Sequence, residues 1–316
     1  MITQILLLAL GLVLLITGAN GLVDGASALA KKFNVSDLAI GLTIVAFGTS
    51  APELVVNVFA SYQGHQDIVF GNVIGSNNFN LFIILGITGL ITPIVVQSST
   101  IWKEIPISFL GIVLVYLLTH HFLGSDSHTL TRVDGFLLLL LFGLFLYYVY
   151  KQLKSDPVEI EVKVNNYSNL KIWYYVIFGL AGLVIGGRLL VTTAVDLATT
   201  FGMSEKLIGL TIVAAGTSLP ELATSVVAAL KKNSDIAVGN IIGSNIFNLF
   251  FILATSAVIK PITYDTVFDQ DMYILAGGTL LVFIAMFTGK KKKLDRWEAA
   301  ILLIGYLGYM AYIIQK

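Results

Sequence analysis

The sequence predicts an all-α integral membrane protein with about ten transmembrane helices, arranged as two inverted five-helix repeats. Three observations lead there: an apolar composition, apolar runs of spanning length that follow one another along the chain, and an internal repeat offset by about half its length.

Of the 316 residues, 56% are hydrophobic and 12% are charged, and mean hydropathy is +0.87. An ordinary soluble domain carries roughly a quarter charged residues. A water-soluble core cannot absorb that apolar surplus, so the bilayer is the expected solvent and lipid the expected surrounding partner. The 19 Lys and Arg balance 19 Asp and Glu, which leaves no basic stripe for nucleic acid. Cys is absent, which excludes disulfides, thiolate metal sites and cysteine nucleophiles.

A helix needs about 20 apolar residues to cross roughly 30 Å of hydrocarbon. Breaks at charged or Gly/Pro-rich turns place such helices near 2–30, 37–61, 68–92, 100–119, 134–153, 171–199, 205–229, 236–259, 271–289 and 297–315. The first lacks the positive start of a secretory signal and reads as a spanning helix. The only polar linker of any length divides the chain into a first transmembrane repeat (1–153), a cytosolic linker (154–170) and a second transmembrane repeat (171–316). Lys and Arg sort by side. One set of loops holds Lys31, Lys32, Lys103, Lys151, Lys154, Lys163, Lys171, Lys231, Lys232, Lys290 to Lys293 and Arg296, and the other holds only Arg132, Lys206, Lys260 and Lys316. The positive-inside bias puts the richer set in the cytoplasm and both termini outside, in a multi-pass protein of the cell membrane.

The repeat is direct. GLTIVAFGTSAPELVVNVFAS from Gly41 returns as GLTIVAAGTSLPELATSVVAA from Gly209, and GNVIGSNNFNLFIILG from Gly71 returns as GNIIGSNIFNLFFILA from Gly239, both shifted by 168 residues. An odd number of spans per unit turns the second copy upside down relative to the first. Secondary transporters built this way hold their substrate near the bilayer midplane, where the repeats meet.

The repeated segments are polar where packing alone needs no polarity. Glu53 and Glu221 interrupt apolar runs with no Lys or Arg nearby in sequence, and an ionised carboxylate in the membrane costs several kcal/mol unless paired or hydrated. A mobile cation is the natural partner. Helical spacing puts Thr49 and Ser50 on the face of Glu53, and Thr217 and Ser218 on the face of Glu221. Pro52 and Pro220 lack an N–H and are expected to free carbonyls over Ala46 to Thr49 and Ala214 to Thr217. Asn72, Ser76 and Asn80 lie four apart on one stripe, matched by Asn240, Ser244 and Asn248, with Asn77 and Asn245 beside them. This ligand set is all oxygen with two negative charges, which suits a hard cation such as Ca2+ or Na+. One Ca2+ or two Na+ neutralises it, so competition for shared carboxylates produces exchange if the empty site cannot cross the apolar barrier.

At these residues the chain resembles the calcium/cation antiporter superfamily, specifically its sodium/calcium exchanger branch, whose α-repeats carry G-[TS]-S-x-P-[ED] followed by G-S-N-x-x-[ND]. Both copies match, over Gly41 to Gly86 and Gly209 to Ala254. The resemblance implies that Glu53 and Glu221 are shared Ca2+ and Na+ ligands, that Thr49 and Thr217 add oxygens, and that Ala46 and Ala214 add carbonyls. It also implies that Ser50, Ser76, Ser218 and Ser244 complete flanking sodium positions, and that the first and sixth helices slide as a gating bundle. The ions are then cargo, and no resident cofactor is expected. The proton-coupled branch usually shows G-N-x-x-E where this chain has GTSAPE and GTSLPE, which favours Na+ over H+. Potassium-dependent members often carry Asp at the position of Asn248, so Asn there weakens a K+ requirement.

Other polar residues read more plainly. Arg188, Asp196 and Asp24 suggest an internal ion pair of structural purpose. His65, His120, His121 and His128 fall at loops or span ends on the outer side and read as solvated or interfacial residues, and the Lys290 to Lys293 run reads as a positive-inside anchor. Asn57 and Ser225, each four residues after a Glu, read equally as ligand support or as helix-contact groups. A channel filter would sit on an oligomeric axis, whereas this pseudo-symmetric pair lies within one chain. An intramembrane hydrolase would want a metal or Ser/His motif that the spans lack.

Overall fold

The computed structural model describes residues 2–120, 128–155, 167–200, 214–289 and 292–315. These form α1 (Ile2–Phe33), α2 (Asp37–Thr49), α3 (Ala51–Gln63), α4 (Gln66–Ile91), α5 (Thr100–Thr119) and α6 (Arg132–Ser155). After the linker come α7 (Asn169–Thr200), α8 (Ala214–Thr217), α9 (Leu219–Leu230), α10 (Ser234–Ile259), α11 (Asp269–Ala285) and α12 (Arg296–Gln315). Among the described residues seven helices are long and apolar enough to cross a membrane, or eight if α2 and α3, bent by 48°, count as one span. The shorter α9 and the polar-tipped α12 fall outside that count. Part of the span expected at 205–229, residues 205–213, lies outside the described residues, as do Gly209 to Val213 of the second repeat copy.

The bend has a cause in the sequence. Pro52 sits in the first turn of α3 and Pro220 in the first turn of α9. Each lacks the N–H that would carry the helix through, so the chain turns at Ser50 (φ −81°, ψ 7°) and at Ser218 (φ −89°, ψ 8°).

The polar helices are the inner ones. Of its most apolar window, α10 buries 94% and α4 72%, against 28% to 39% for α1, α5, α6, α7 and α11. Leu6, Phe136, Ile177 and Phe178 point outward as large exposed side chains, the arrangement expected when lipid is the solvent. Two short antiparallel ladders tie the loops: β1 (Ile94–Val95) pairs with β4 (Lys293–Leu294), and β2 (Thr129–Leu130) pairs with β3 (Ile262–Thr263). Ile94 and Ile262 stand one repeat length apart, so the two ladders are counterparts.

Apolar side chains gather into two clusters. The larger joins α4, α5, α6 and α10 to α12, while Leu22, Val23, Val176 and Leu183 of α1 and α7 anchor the smaller. Helices α1 and α7 touch through glycine: a Cβ on Gly179 would lie 2.6 Å from the backbone nitrogen of Leu22. Backbone cannot yield as a flexible side chain can, and overpacking of this kind costs about 1–3 kcal/mol. Gly179→Val is therefore expected to lower the thermal unfolding midpoint of the detergent-solubilised protein, and an unchanged midpoint would contradict this close approach.

Candidate cation site

The two breaks set the two carboxylates facing each other's repeat. Glu53 and Glu221 each follow a break by three residues, and each is only 1% exposed. The Ser50 hydroxyl donates to Oε1 of Glu221 at 2.8 Å, and the Ser218 hydroxyl donates to Oε1 of Glu53 at 3.3 Å. Each carboxylate is thus held by the serine of the other copy. Ser244 reaches the same Glu221 oxygen at 3.5 Å.

A second crossed pair surrounds the first. The Thr49 hydroxyl donates to Asn240 Oδ1 at 2.9 Å, and the Thr217 hydroxyl donates to Asn72 Oδ1 at 3.4 Å. The asparagines are aimed from behind: Asn72 Nδ2 donates to Asn57 Oδ1 (2.6 Å) and the Glu53 carbonyl (3.5 Å). Asn240 Nδ2 donates likewise to Ser225 Oγ (3.0 Å) and the Glu221 carbonyl (3.2 Å). Asn57 and Ser225 thus each accept from one of these asparagines, and their four-residue spacing from Glu53 and Glu221 was the signal in the sequence.

Further along the inner helices four asparagines close a ring. Asn80 donates to Asn245 Oδ1 at 3.1 Å and Asn248 to Asn77 Oδ1 at 2.9 Å, while Asn77 and Asn245 donate to each other's backbone carbonyls at 3.4 Å. Asn80 and Asn248 sit in π-helical turns, Phe79–Ile84 and Asn248–Ile252, a geometry frequent at functional sites because it re-aims side chains within a helix. Asn78 faces away and donates to the Asp271 carbonyl at 3.2 Å.

What remains is a set of buried oxygens. Oε2 of Glu53 and of Glu221, Ser76 Oγ, and Oδ1 of Asn80 and Asn248 have no hydrogen-bond partner. Among the described residues the ion pairs are Lys231 with Asp24 (2.8 Å) and His120 with Asp269 (3.1 Å), so neither carboxylate of the pair has a basic neighbour. Buried charge needs a partner, and oxygens alone suit a hard cation.

Several expectations change. The Ala46 carbonyl is not freed: it accepts the Ser50 amide at 3.0 Å and the Thr49 hydroxyl at 3.3 Å. Ala214 opens α8 at the edge of the described residues, and its side chain lies outside them. Asp24 takes Lys231, from the end of α9, rather than Arg188, which is exposed, as is Asp196. His120 is half-buried at its span end, as an interfacial residue would be, where it stacks on Tyr116 and its Nε2 lies 3.1 Å from Asp269 Oδ1. His121, Lys290 and Lys291 lie outside the described residues.

The family described as "Sodium/calcium exchanger protein" matches residues 3–151 and 171–315. A putative antiporter, CaxA, of Alkalimonas amylolytica is 42% identical over 98% of each chain. The sodium/calcium exchanger MaX1 of Methanosarcina acetivorans is 30% identical over 98% of this chain and 97% of its own. A solved structure of the sodium-calcium exchanger NCX_Mj, soaked with zero Na+ and Ca2+, superposes with a TM-score of 0.83 at 33% identity, covering 99% of both chains.

Proposed function

The chain belongs to the sodium/calcium exchanger family of membrane antiporters, and from that premise we propose that it exchanges Ca2+ for Na+ by alternating access at the Glu53/Glu221 centre. The observation that carries this reading is the crossed pairing, in which two buried carboxylates are each held by a serine of the other repeat and lack a basic partner.

In this reading Ca2+ is bound by Glu53, Glu221, Thr49 and Thr217. Na+ is bound at positions flanking the same carboxylates, built from Ser50, Ser76, Ser218, Ser244 and Thr217 with the Ala46 and Ala214 carbonyls. The Thr49 hydroxyl has one hydrogen, and giving it to Asn240 leaves the Ala46 oxygen, which also accepts the Ser50 amide, a second lone pair for that purpose. A site of charge −2 is neutral with one Ca2+ or two Na+, and a neutral site crosses an apolar barrier far more easily than a charged one. Exchange follows because both ions need the same two carboxylates.

The reading extends to topology. The spans number ten, counting α2 with α3, α8 with α9, and α12; the repeats are inverted; and both termini lie outside the cell membrane. Helices α1 and α7 move together across the remaining bundle, supported by the close glycine contact between them.

Reconstituted liposomes test the coupling. Vesicles loaded with Na+, K+ or choline are diluted into each external medium, and uptake of radiolabelled Ca2+ is followed. Uptake driven only by an outward Na+ gradient is expected. Uptake that ignores Na+ but follows a pH gradient moves the coupling to H+, a K+ requirement alongside Na+ makes the exchanger potassium-dependent, and no Ca2+ flux under any gradient overturns the substrate.

A further inference from the structure

Two copies of one unit need not carry the same side chains, and a contact present in only one copy acts on only one of two exchanged states. The register of α1 against α7 follows the same shift of 168 residues: Gly11 and Gly18 return as Gly179 and Gly186. By that shift the turn between α9 and α10 corresponds to the turn between α3 and α4.

The α9–α10 turn is fastened to α1. Lys231, just past α9, donates to Asp24 Oδ1 at 2.8 Å and to the Asn20 carbonyl at 3.0 Å. Two residues on, Asn233 donates to Ser27 Oγ at 3.1 Å and to Asp37 Oδ2 at 2.7 Å, while its own Oδ1 accepts the Ile236 amide at 3.1 Å. Asn233 is thereby held on three sides and is only 4% exposed. Asn20, Asp24 and Ser27 follow at spacings of four and three, which puts them on one stripe of α1. Apolar packing continues the seal, since Ala228, Ile236 and Ala237 share a buried cluster with Leu22, Val23 and Ala26.

The corresponding positions cannot repeat this. Lys231 corresponds to Gln63 and Asp24 to Thr192, so no ion pair can form at those positions in any state. Ser27 and Asn233 correspond to Val195 and His65. Gln63 and His65 are exposed, and Thr192 gives its hydroxyl to the Arg188 carbonyl of its own helix at 2.9 Å. A partly exposed ion pair such as Lys231 with Asp24 adds little to folding. Two conformations of one protein lie close in free energy, however, and a contact made in only one of them shifts their ratio. We propose that Asp24 and Lys231 form a one-sided latch, which holds the Phe33 end of α1 against the α9–α10 turn and favours the state in which that end is shut. The latch rests on the inverted repeats and alternating access proposed above, and not on which ions are exchanged.

Spin-label distances in the full chain test it. The sequence has no Cys, so Tyr62→Cys and Thr199→Cys carry the only labels. Both positions are exposed, and they stand at the ends of α3 and α7 away from the latch. When inverted repeats exchange states, release of the α1 end draws the end of α7 towards the α3–α4 turn and shortens this distance. Saturating Na+ or saturating Ca2+ loads the site so that it can reorient. Lys231→Gln and Asp24→Asn are each expected to raise the short-distance population about threefold over wild type, the ratio that a partly exposed ion pair supports. Asp24→Lys combined with Lys231→Asp rebuilds the pair with its charges exchanged and should return the distribution towards wild type. Lys232→Gln, which removes the neighbouring exposed charge, should leave it unchanged. A purely local role would loosen the α1 end without moving labels at the far ends. Failure of the short-distance population to rise in either single variant would overturn the latch, as would an equal rise in Lys232→Gln or a monodisperse swapped pair that behaves like the single variants. Radiolabelled Ca2+ flux is followed on the same proteins, and its absence strikes the exchanger reading alone, because the distances still report the latch.

Discussion

Replacing Glu53 or Glu221 with Gln is expected to abolish Ca2+ flux in liposomes while leaving the protein folded. Gln keeps the size of the side chain and the oxygen that accepts the hydroxyl of Ser218 or Ser50 across the repeats, so the crossed contacts survive. What is lost is one of two negative charges. At an effective dielectric of about 20 and a separation of ~4 Å, a pair of unit charges is worth about 4 kcal/mol, roughly a thousandfold in affinity, and a divalent ion feels more than a monovalent one. The check is radiolabelled Ca2+ uptake under an outward Na+ gradient, with size-exclusion profiles of both variants as the folding control. Flux within about tenfold of wild type in either monodisperse variant would sink the shared-carboxylate reading. The two variants should also fail alike, because each copy supplies one charge to one centre.

The second large effect is expected one step behind the ligands. Asn240→Ala removes the acceptor of the Thr49 hydroxyl and the donor to Ser225 and to the Glu221 carbonyl. Thr49 then keeps only the Ala46 carbonyl of its own helical turn and loses its anchor in the other repeat, and one carbonyl beside the carboxylate loses its donor. Losing such a supporting contact typically costs about 10–100-fold in metal affinity or activity. The half-saturating Ca2+ concentration for exchange should therefore rise by that factor, with Glu221 itself still present. Asn72→Ala should behave in the same way through Thr217 and Asn57, with a smaller rise, because its contact to Thr217 is longer at 3.4 Å. Equal half-saturation in wild type and Asn240→Ala would show that the asparagine only packs.

The residues of the centre were legible because membrane burial makes them conspicuous. A carboxylate in an apolar run, repeated at a fixed offset, has few structural explanations, and the Pro after each GTS triplet announced the break that the backbone makes at Ser50 and Ser218. The ring of asparagines was legible as a stripe but not as a ring. Asn77 and Asn80 looked like neighbours on one helix, and their partners are Asn245 and Asn248 of the other repeat. Asn57 and Ser225 stayed ambiguous for the same reason: helical spacing says which face a side chain occupies, not what lies across from it.

The same limit explains the corrections. Arg188, Asp196 and Asp24 suggested an internal ion pair because they occupy corresponding regions of the two copies of one helix, yet Arg188 and Asp196 are exposed and Lys231, at the end of α9, reaches Asp24 instead. Loss of the proline N–H was expected to release Ala46, while the turn at Ser50 still closes one last bond onto that carbonyl.

By itself the sequence determined the solvent, the duplication and the polar residues gathered at the candidate centre, since these follow from composition and from periodicities of a few residues; of the ten spans it set out, seven or eight are long and apolar enough among the described residues. Only the tertiary structure decided which copy serves which carboxylate and which asparagine aims which threonine. Those facts depend on contacts between residues 145 to 191 positions apart, and no local spacing encodes them: close packing of two separately built halves does.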